Sequence, residues 1–369
     1  MTTKYAEIAG AGFAGLTAAT ALCRKGWSVR VHEASAEMRE FGAGIFLWEN
    51  GLRVLQAIGA YEAAIANTHQ ATSFEERDHE NKLIAARPFP MPGGGRMVTM
   101  TRQDLYAPIL AAARGAGAEI CTDSRIIAAS PEGALIRADG RRFEADLVVL
   151  ADGIRSKARD SLGLVAEHVR FPIGIFRALV PRDAVEVDAP YWNNYINFWR
   201  IGETVRRILY VPCNPRDLYI LLGSDIGDEV LERPIRRQMW ADTFPLLAPI
   251  IARIGDDVRF DQYELLKLRR WSVGRVALIG DAAHAMPPTI GQGAGSAMMN
   301  ALSLAAAVAA AADIEAALHA WEVAERPLTE HTQEVSRRRA LNLPPTGAEN
   351  RNVWEEGSLQ TARHMPTGT

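Results

Sequence analysis

The chain has 369 residues, 48% of them hydrophobic, enough for two domains or one large intertwined unit with a real core. A net charge of −3 provides no basic field for nucleic acid and no polybasic membrane patch, and three scattered cysteines (Cys23, Cys121, Cys213) argue against a disulfide framework or a metal cluster. The opening MTTKYAEIAG has no signal region, and no apolar run reaches the roughly 18 residues a bilayer span needs. The expected location is therefore the cytoplasm, with no nucleic-acid or membrane partner.

Residues 5 to 33 read as strand, glycine turn, helix and strand. The helix is predicted from about Ala14 to Lys25, with Gly26 as its stop, and the strand from Ser28 to His32 ends at Glu33. A loop with Arg39 and Gly42-Ala43-Gly44 leads to a helix near Glu49 to Ile58. Residues 70 to 101 are polar and then rich in proline and glycine, which predicts an excursion from the first unit. The chain returns as a helix over Gln103 to Arg114, a strand near Glu119 to Thr122, and the apolar run Ala145 to Ala151.

Residues 170 to 224 are rich in aromatic and β-branched side chains. Thr204 to Val211 and Leu218 to Leu222 predict a hairpin in an antiparallel sheet. A helix is expected around Glu232 to Ile254, then a strand Arg275 to Ile279 and a long helix from Gly293 to about Ala312. The last 25 or so residues read as an extended tail.

Two glycine-rich segments carry the chemistry. In Gly10-Ala11-Gly12-Phe13-Ala14-Gly15, the first glycine allows a tight turn, the second lets a pyrophosphate reach the backbone, and the third lets helix and strand pack closely. The helix N-terminus offers free amides and partial positive charge to phosphates. Glu33 follows Gly12 by 21 residues, where a carboxylate can accept both ribose hydroxyls, with Ala34 beside it. The second segment is Gly280-Asp281-Ala282-Ala283-His284, followed by Pro287-Pro288 and Gly291-Gln292-Gly293-Ala294-Gly295. Asp281 can take a ribityl hydroxyl, and the amides of the glycine stretch can face a flavin pyrimidine, where charge collects on reduction. A ligand that needs both ends of the chain is long and two-ended, as FAD is. His284 reads as structural, and Pro287 as a wall where oxygen and substrate would meet the flavin.

With a third motif, Ala151-Asp152-Gly153-Ile154-Arg155-Ser156, the chain resembles the class A flavoprotein aromatic monooxygenases of the hydroxybenzoate hydroxylase type, over residues 5 to about 335. Phe41 to Trp48, Asn50 to Leu55 and Arg207 to Asn214 are most similar to the hydroxypyridine-carboxylate oxygenases within that family. The resemblance implies an α/β fold: an FAD-binding Rossmann-like domain of the glutathione-reductase type over 1–70, 98–168 and 265–340. An interleaved antiparallel-sheet substrate domain would take 71–97 and 169–264, with a tail over 341–369. It implies FAD, with NADH or NADPH as a transient co-substrate and O2, acting on a small aromatic or N-heteroaromatic acid, in a monomer or homodimer. Arg39, Gly44, Ile45, Arg102 and Asp152 would join the cofactor set, and Arg177, Arg207 and Tyr219 would contact substrate, with Phe46, Trp48 and Tyr263 around it. Phe46 stands where the similar oxygenases carry a tyrosine.

The residues themselves leave alternatives open. An arginine on an apolar strand face requires an anion, which a substrate carboxylate or an internal salt bridge supplies equally well. Tyr219 and Tyr263 also read as packing aromatics. A reductase of the same fold, or a non-catalytic carrier resembling the prenyl-protein escort proteins, fits the same architecture.

Overall fold

The strand Tyr5–Ala9 lies between Leu147–Leu150 and Ser28–His32 in a mostly parallel sheet, with Glu7 buried against Arg30 and His32 of the neighbouring strand. The computed structural model describes residues 4–38, 42–89, 95–256, 258–341 and 359–369. Among these, six strands form that sheet, in the order Ser272–Val273, Val276–Leu278, Leu147–Leu150, Tyr5–Ala9, Ser28–His32 and Glu119–Cys121. Leu147–Leu150 is wholly buried, as a strand covered on both faces must be. Val276–Leu278 lies parallel to it, with Val149 opposite Ala277, so a late segment completes a sheet begun by the first residues.

The second sheet has seven strands, in the order Arg259–Leu268, Val165–Pro181, Asp217–Asp225, Arg206–Pro212, Tyr195–Arg200, Ser73–Asp78 and Leu83–Pro88. Its two faces follow the period of two. Ile175, Leu209, Val211, Tyr219, Leu221, Tyr263 and Leu265 pack into one core with Trp48, Met97 and Ile290. Their neighbours Phe176, Ile208, Tyr210, Ile220 and Leu222 pack into another with Trp240, Phe244 and Ile251. The expected hairpin is present, with Val211 opposite Tyr219. The excursion contributes Ser73–Asp78 and Leu83–Pro88 to this sheet, and the chain returns through Met97–Thr101, which pairs with Gly44–Trp48. The α/β architecture read from the sequence is the one observed.

Three local expectations fail. The single helix over 232–254 is instead the short pieces Arg237–Thr243 and Ala248–Ile251 with a 3-10 turn Pro245–Leu247 between them. Phe244, at φ −130° and ψ 74°, is pushed out of the helical region by the proline that follows it. The helix from Gly293 stops at Val308, and a second helix of 28 residues, Ile314–Leu341, follows it. That helix escaped notice because its buried face mixes Leu318, Trp321 and Val335 with Glu322, Glu325, Thr329, Thr332, Gln333 and Ser336, which blurs the apolar period. Finally, residues 359–369 are not extended outward. Ala362 is fully buried, Thr361 shares a 2.6 Å hydrogen bond with Thr332, and Thr367 donates to Glu325 at 2.9 Å. No described helix is long and apolar enough to cross a membrane.

Candidate active site

The first glycine segment is built as steric necessity requires. Gly10 has φ +96°, and a Cβ there would stand 2.5 Å from the carbonyl oxygen of Ala151. At Gly12 a Cβ would meet nothing within 4 Å, so this backbone opens onto a cleft. Gly15 is pressed against Gly10. The helix Phe13–Arg24 starts at Gly12 with no side-chain cap, leaving its first amides to whatever lies in front of it. Glu33 is oriented by two amides, Ala11 at 3.0 Å and Ser35 at 2.8 Å.

This cleft measures about 1460 Å³ and collects Gly10, Gly12, Glu33, Ala34, Arg102, Asp152 and Arg177 of the predicted set. Arg102 stacks on Phe13 at 4.8 Å, and Ala14 is buried behind it. Asp152 has one carboxylate oxygen, Oδ1, buried without a hydrogen-bond partner, and burial pushes its carboxyl up to about 6. Arg39 lies outside the described residues.

The second segment approaches from the other side. Gly280 takes φ +61° and starts the short helix Asp281–His284. Asp281 is solvent-exposed although Gly280 before it and Ala282 after it are buried. Burial pushes its carboxyl up, against the pull of Arg102, Arg177 and Arg259. His284 is buried, its Nε2 facing the Asn300 amide nitrogen at 3.0 Å and its ring against Trp271. Burial drives its imidazole down to about 4, in keeping with a structural role. Pro287 is buried and its carbonyl accepts from Ser336, whereas Pro288 is exposed. Gly291, at φ +65°, lies against Phe46 and Trp48, and the Trp48 indole donates to Ile290 at 3.2 Å. Gln292 is buried and accepts from Asn50, and the helix Gly293–Val308 begins there without a side-chain cap, leaving the amides near Gly293 and Ala294 unclaimed by any cap.

The two predicted arginines stand on one face of the sheet, two strands apart. Arg177 pairs with Asp261 at 3.2 Å and lines the cleft, beside Arg259 in the next strand. Arg207, buried, stacks over Trp199 at 5.4 Å and donates to the Tyr263 hydroxyl at 3.0 Å. Tyr219 feels both arginines, but burial outweighs them and pushes its phenol up to about 12. It sits directly under the strand Gly44–Trp48, since a Cβ at Gly44 would come within 2.5 Å of its own Cβ. Ile45 and Phe46 continue that strand, and Phe46 packs edge-on against Tyr195 at 5.3 Å.

Two uncapped helix starts, an open glycine backbone, a carboxylate facing the cleft and an orphaned Asp152 oxygen suit a ligand with a pyrophosphate and several hydroxyls. A family profile described as an FAD binding domain matches residues 3–336. The chain belongs to this FAD-binding family. FAD is the cofactor of this flavoprotein, and its type is that of the class A monooxygenases. It is 40% identical over 344 residues to a 2-heptyl-3-hydroxy-4(1H)-quinolone synthase of Mycobacteroides abscessus, covering 92% of this chain and 91% of that protein. The solved tetrameric form of 2-methyl-3-hydroxypyridine-5-carboxylic acid oxygenase is 40% identical, with a TM-score of 0.91 over 99% of this chain and 98% of that one. A 6-hydroxynicotinate 3-monooxygenase of Bordetella bronchiseptica is 27% identical over 317 residues, 80% of each chain.

Sequence reasoning missed several residues of the flavoprotein's site. Arg259, Arg155, Lys157 and Arg125 also line the cleft. Asp261, the partner of Arg177, could have been noticed from the alternation Arg259, Asp261, Tyr263 along one strand. Trp199 and the buried Glu76, which accepts its indole N–H at 2.5 Å, had no local signal, since they reach Arg207 only through strand pairing.

Proposed function

We propose that this flavoprotein uses NADH or NADPH and O2 to oxygenate a small hydroxylated aromatic or N-heteroaromatic acid. The observation that carries the reading is Arg207, a buried guanidinium bonded to a phenol and stacked on an indole face, which the buried Glu76 carboxylate attracts through space without a direct ion pair. Such a cation leaves donors for a bidentate anion, and the apolar surroundings strengthen that attraction. The relatives named above, acting by their names on a pyridine acid, a hydroxynicotinate or a quinolone, favour a nitrogen-containing ring.

The protein's contribution is positioning. Bound FAD, reduced by a nicotinamide dinucleotide, supplies the activation of O2. Arg207 holds the substrate's acidic group. Tyr219 stays protonated at neutral pH, since its phenol titrates near 12, and so donates a hydrogen bond to an oxygen on the ring. Asp281 would hold a ribityl hydroxyl of the cofactor and Glu33 its ribose hydroxyls, with Asp152, Arg102 and the helix start at Gly12 at the pyrophosphate. The apolar face formed by Ile175, Leu209 and Leu221 keeps water from the ring.

The test is NADH and NADPH oxidation by the yellow holoenzyme against a panel of hydroxypyridine and hydroxybenzoate acids under 18O2. Label from oxygen gas in the product supports the reading. One atom means hydroxylation, two mean ring opening, and reductant oxidation without label means a reductase. A purified protein with no flavin would favour the carrier alternative. The expected assembly is a monomer or homodimer, whereas the 40% identical oxygenase is described as tetrameric; light scattering decides.

A further inference from the structure

We propose that Ser336, Trp48 and Asn50 are positioning residues for reduction of the cofactor. They pin the loop 285–292, and the pinned loop stabilises reduced FAD more than oxidised FAD. The inference rests on FAD lying with its pyrimidine toward residues 291–294, and it adds the side chains that fix that stretch.

The loop joins the helices Asp281–His284 and Gly293–Val308 and has no helix or strand of its own. Side chains from two distant parts of the chain hold it. From the long helix Ile314–Leu341, Gln333 donates to the Ala285 carbonyl at 3.0 Å, and the Ser336 hydroxyl donates to the Pro287 carbonyl. The Thr289 hydroxyl donates back to the Ser336 carbonyl at 3.0 Å. From the segment after the strand Gly44–Trp48, the Trp48 indole donates to the Ile290 carbonyl at 3.2 Å, and the Asn50 amide donates to the Gln292 side chain at 3.0 Å. Gln333, Ser336, Trp48 and Asn50 are all buried, so water does not compete for these bonds.

These bonds set directions as well as positions. A trans peptide points its carbonyl and its amide hydrogen opposite ways. Holding the Ile290 carbonyl on the Trp48 indole therefore turns the Gly291 amide away from Trp48. Gly291 has little room to turn back, since a Cβ there would stand 3.0 Å from Phe46 and 3.4 Å from the Trp48 indole nitrogen. Asn50 acts one step further along, on Gln292, the residue that precedes the uncapped helix start. Gly295 leaves space for that pair, because a Cβ there would meet Asn50 at 3.2 Å and Gln292 at 3.3 Å.

Donors fixed in advance are worth most where charge develops, because they need no reorganisation when it appears. Negative charge gathers on the flavin pyrimidine in reduced FAD, so fixed amides there favour the reduced form. A loop free to turn would first have to be ordered, at a cost in conformational entropy. The long helix also supplies an internal contrast. Thr332, one turn before Ser336 on the same buried face, bonds instead to the Leu328 carbonyl at 2.7 Å and the Thr361 hydroxyl at 2.6 Å.

The experiment is a redox titration of the holoenzyme against a dye of known potential, followed by flavin absorbance. The proteins are wild type, Ser336→Ala, Trp48→Phe, Asn50→Ala and Thr332→Val. The first three variants should each weaken reduced FAD about tenfold more than oxidised FAD, which makes the midpoint about 30 mV more negative. Thr332→Val should lower the melting temperature and leave the midpoint unchanged. Where a variant loses FAD on purification, its dissociation constants for oxidised and dithionite-reduced FAD give the same ratio. An unchanged midpoint in the three loop variants, equal weakening of both forms of FAD, or the same negative shift from Thr332→Val reduces these contacts to packing. Any of those results overturns the inference while FAD stands as the cofactor. Wild-type protein that binds neither form of FAD overturns both.

Discussion

A methyl group at Gly15 would stand 2.0 Å from the carbonyl oxygen of Gly10. No backbone shift of a few tenths of an ångström relieves that overlap, so the helix and the turn that face the phosphates can approach only through this glycine. Gly15→Ala is expected to push the helix Phe13–Arg24 away from the strand Tyr5–Ala9 and to lose bound FAD. Overpacking costs about 1–3 kcal/mol, and more where backbone is the obstacle. The ratio of flavin to protein absorbance after purification, together with the melting temperature, checks this.

Asp152 sets a pH dependence of unusual sign. Its carboxyl is pushed up to about 6 by burial, above the unfolded value of 3.8. The folded form therefore holds the proton more tightly than the unfolded one, and this contribution is complete below about 3.8 and lost as pH rises through about 6. In flavin-free protein, Asp152→Asn should be more stable than wild type at pH 7, by on the order of 2 kcal/mol after allowance for partial exposure. The difference should close toward pH 4. Urea midpoints of the two proteins across that range decide it, and equal midpoints at pH 7 would refute it.

His284 works in the opposite direction. Burial holds its imidazole down at about 4, below the unfolded value of 6.5, so the unfolded chain takes up the proton first. Its contribution is present above about 6.5 and lost as pH falls toward 4, by about 3 kcal/mol. Protonation also costs the acceptor role of Nε2 toward Asn300. His284→Gln, which keeps an acceptor but does not titrate in this range, should flatten the acid limb of a melting-temperature profile between pH 6.5 and 4.

Arg207 separates substrate affinity from cofactor affinity. It does not line the nucleotide cleft, so Arg207→Met should leave flavin content unchanged. Removing one partner of a buried ionic contact costs 2–5 kcal/mol, which corresponds to a KM raised by roughly 30-fold or more. Steady-state kinetics on an acid that the wild type oxygenates would check this, and an unaltered KM would remove Arg207 from the substrate's partners.

What could be read from residues alone was what acts locally. The close packing of Gly15 on Gly10 follows from sterics within half a dozen residues, and the faces of the substrate sheet follow from alternation along strands such as Arg206–Pro212. Partners supplied by register were not legible. Glu76 reaches Trp199 across a parallel pairing between segments more than a hundred residues apart, and nothing near either residue announces the other. The long helix Ile314–Leu341 was hidden for a different reason, because polar groups on its buried face bond to neighbouring strands, helices and turns. Gln333, for example, donates to the carbonyls of Leu266 and Ala285. The terminal residues read as a tail because composition says nothing of docking; Arg53 and Thr332 hold them through contacts visible only in three dimensions.

The placement of Val276–Leu278 against Leu147–Leu150 has a consequence for biosynthesis. A nascent chain leaving the ribosome exposes one flank of Leu147–Leu150 for the time needed to translate about 130 further residues. Only then does the matching segment emerge, with Asp281 directly behind it. Cofactor loading should accordingly be a late event, and truncated translation products should expose a hydrophobic strand edge that invites aggregation or chaperone capture.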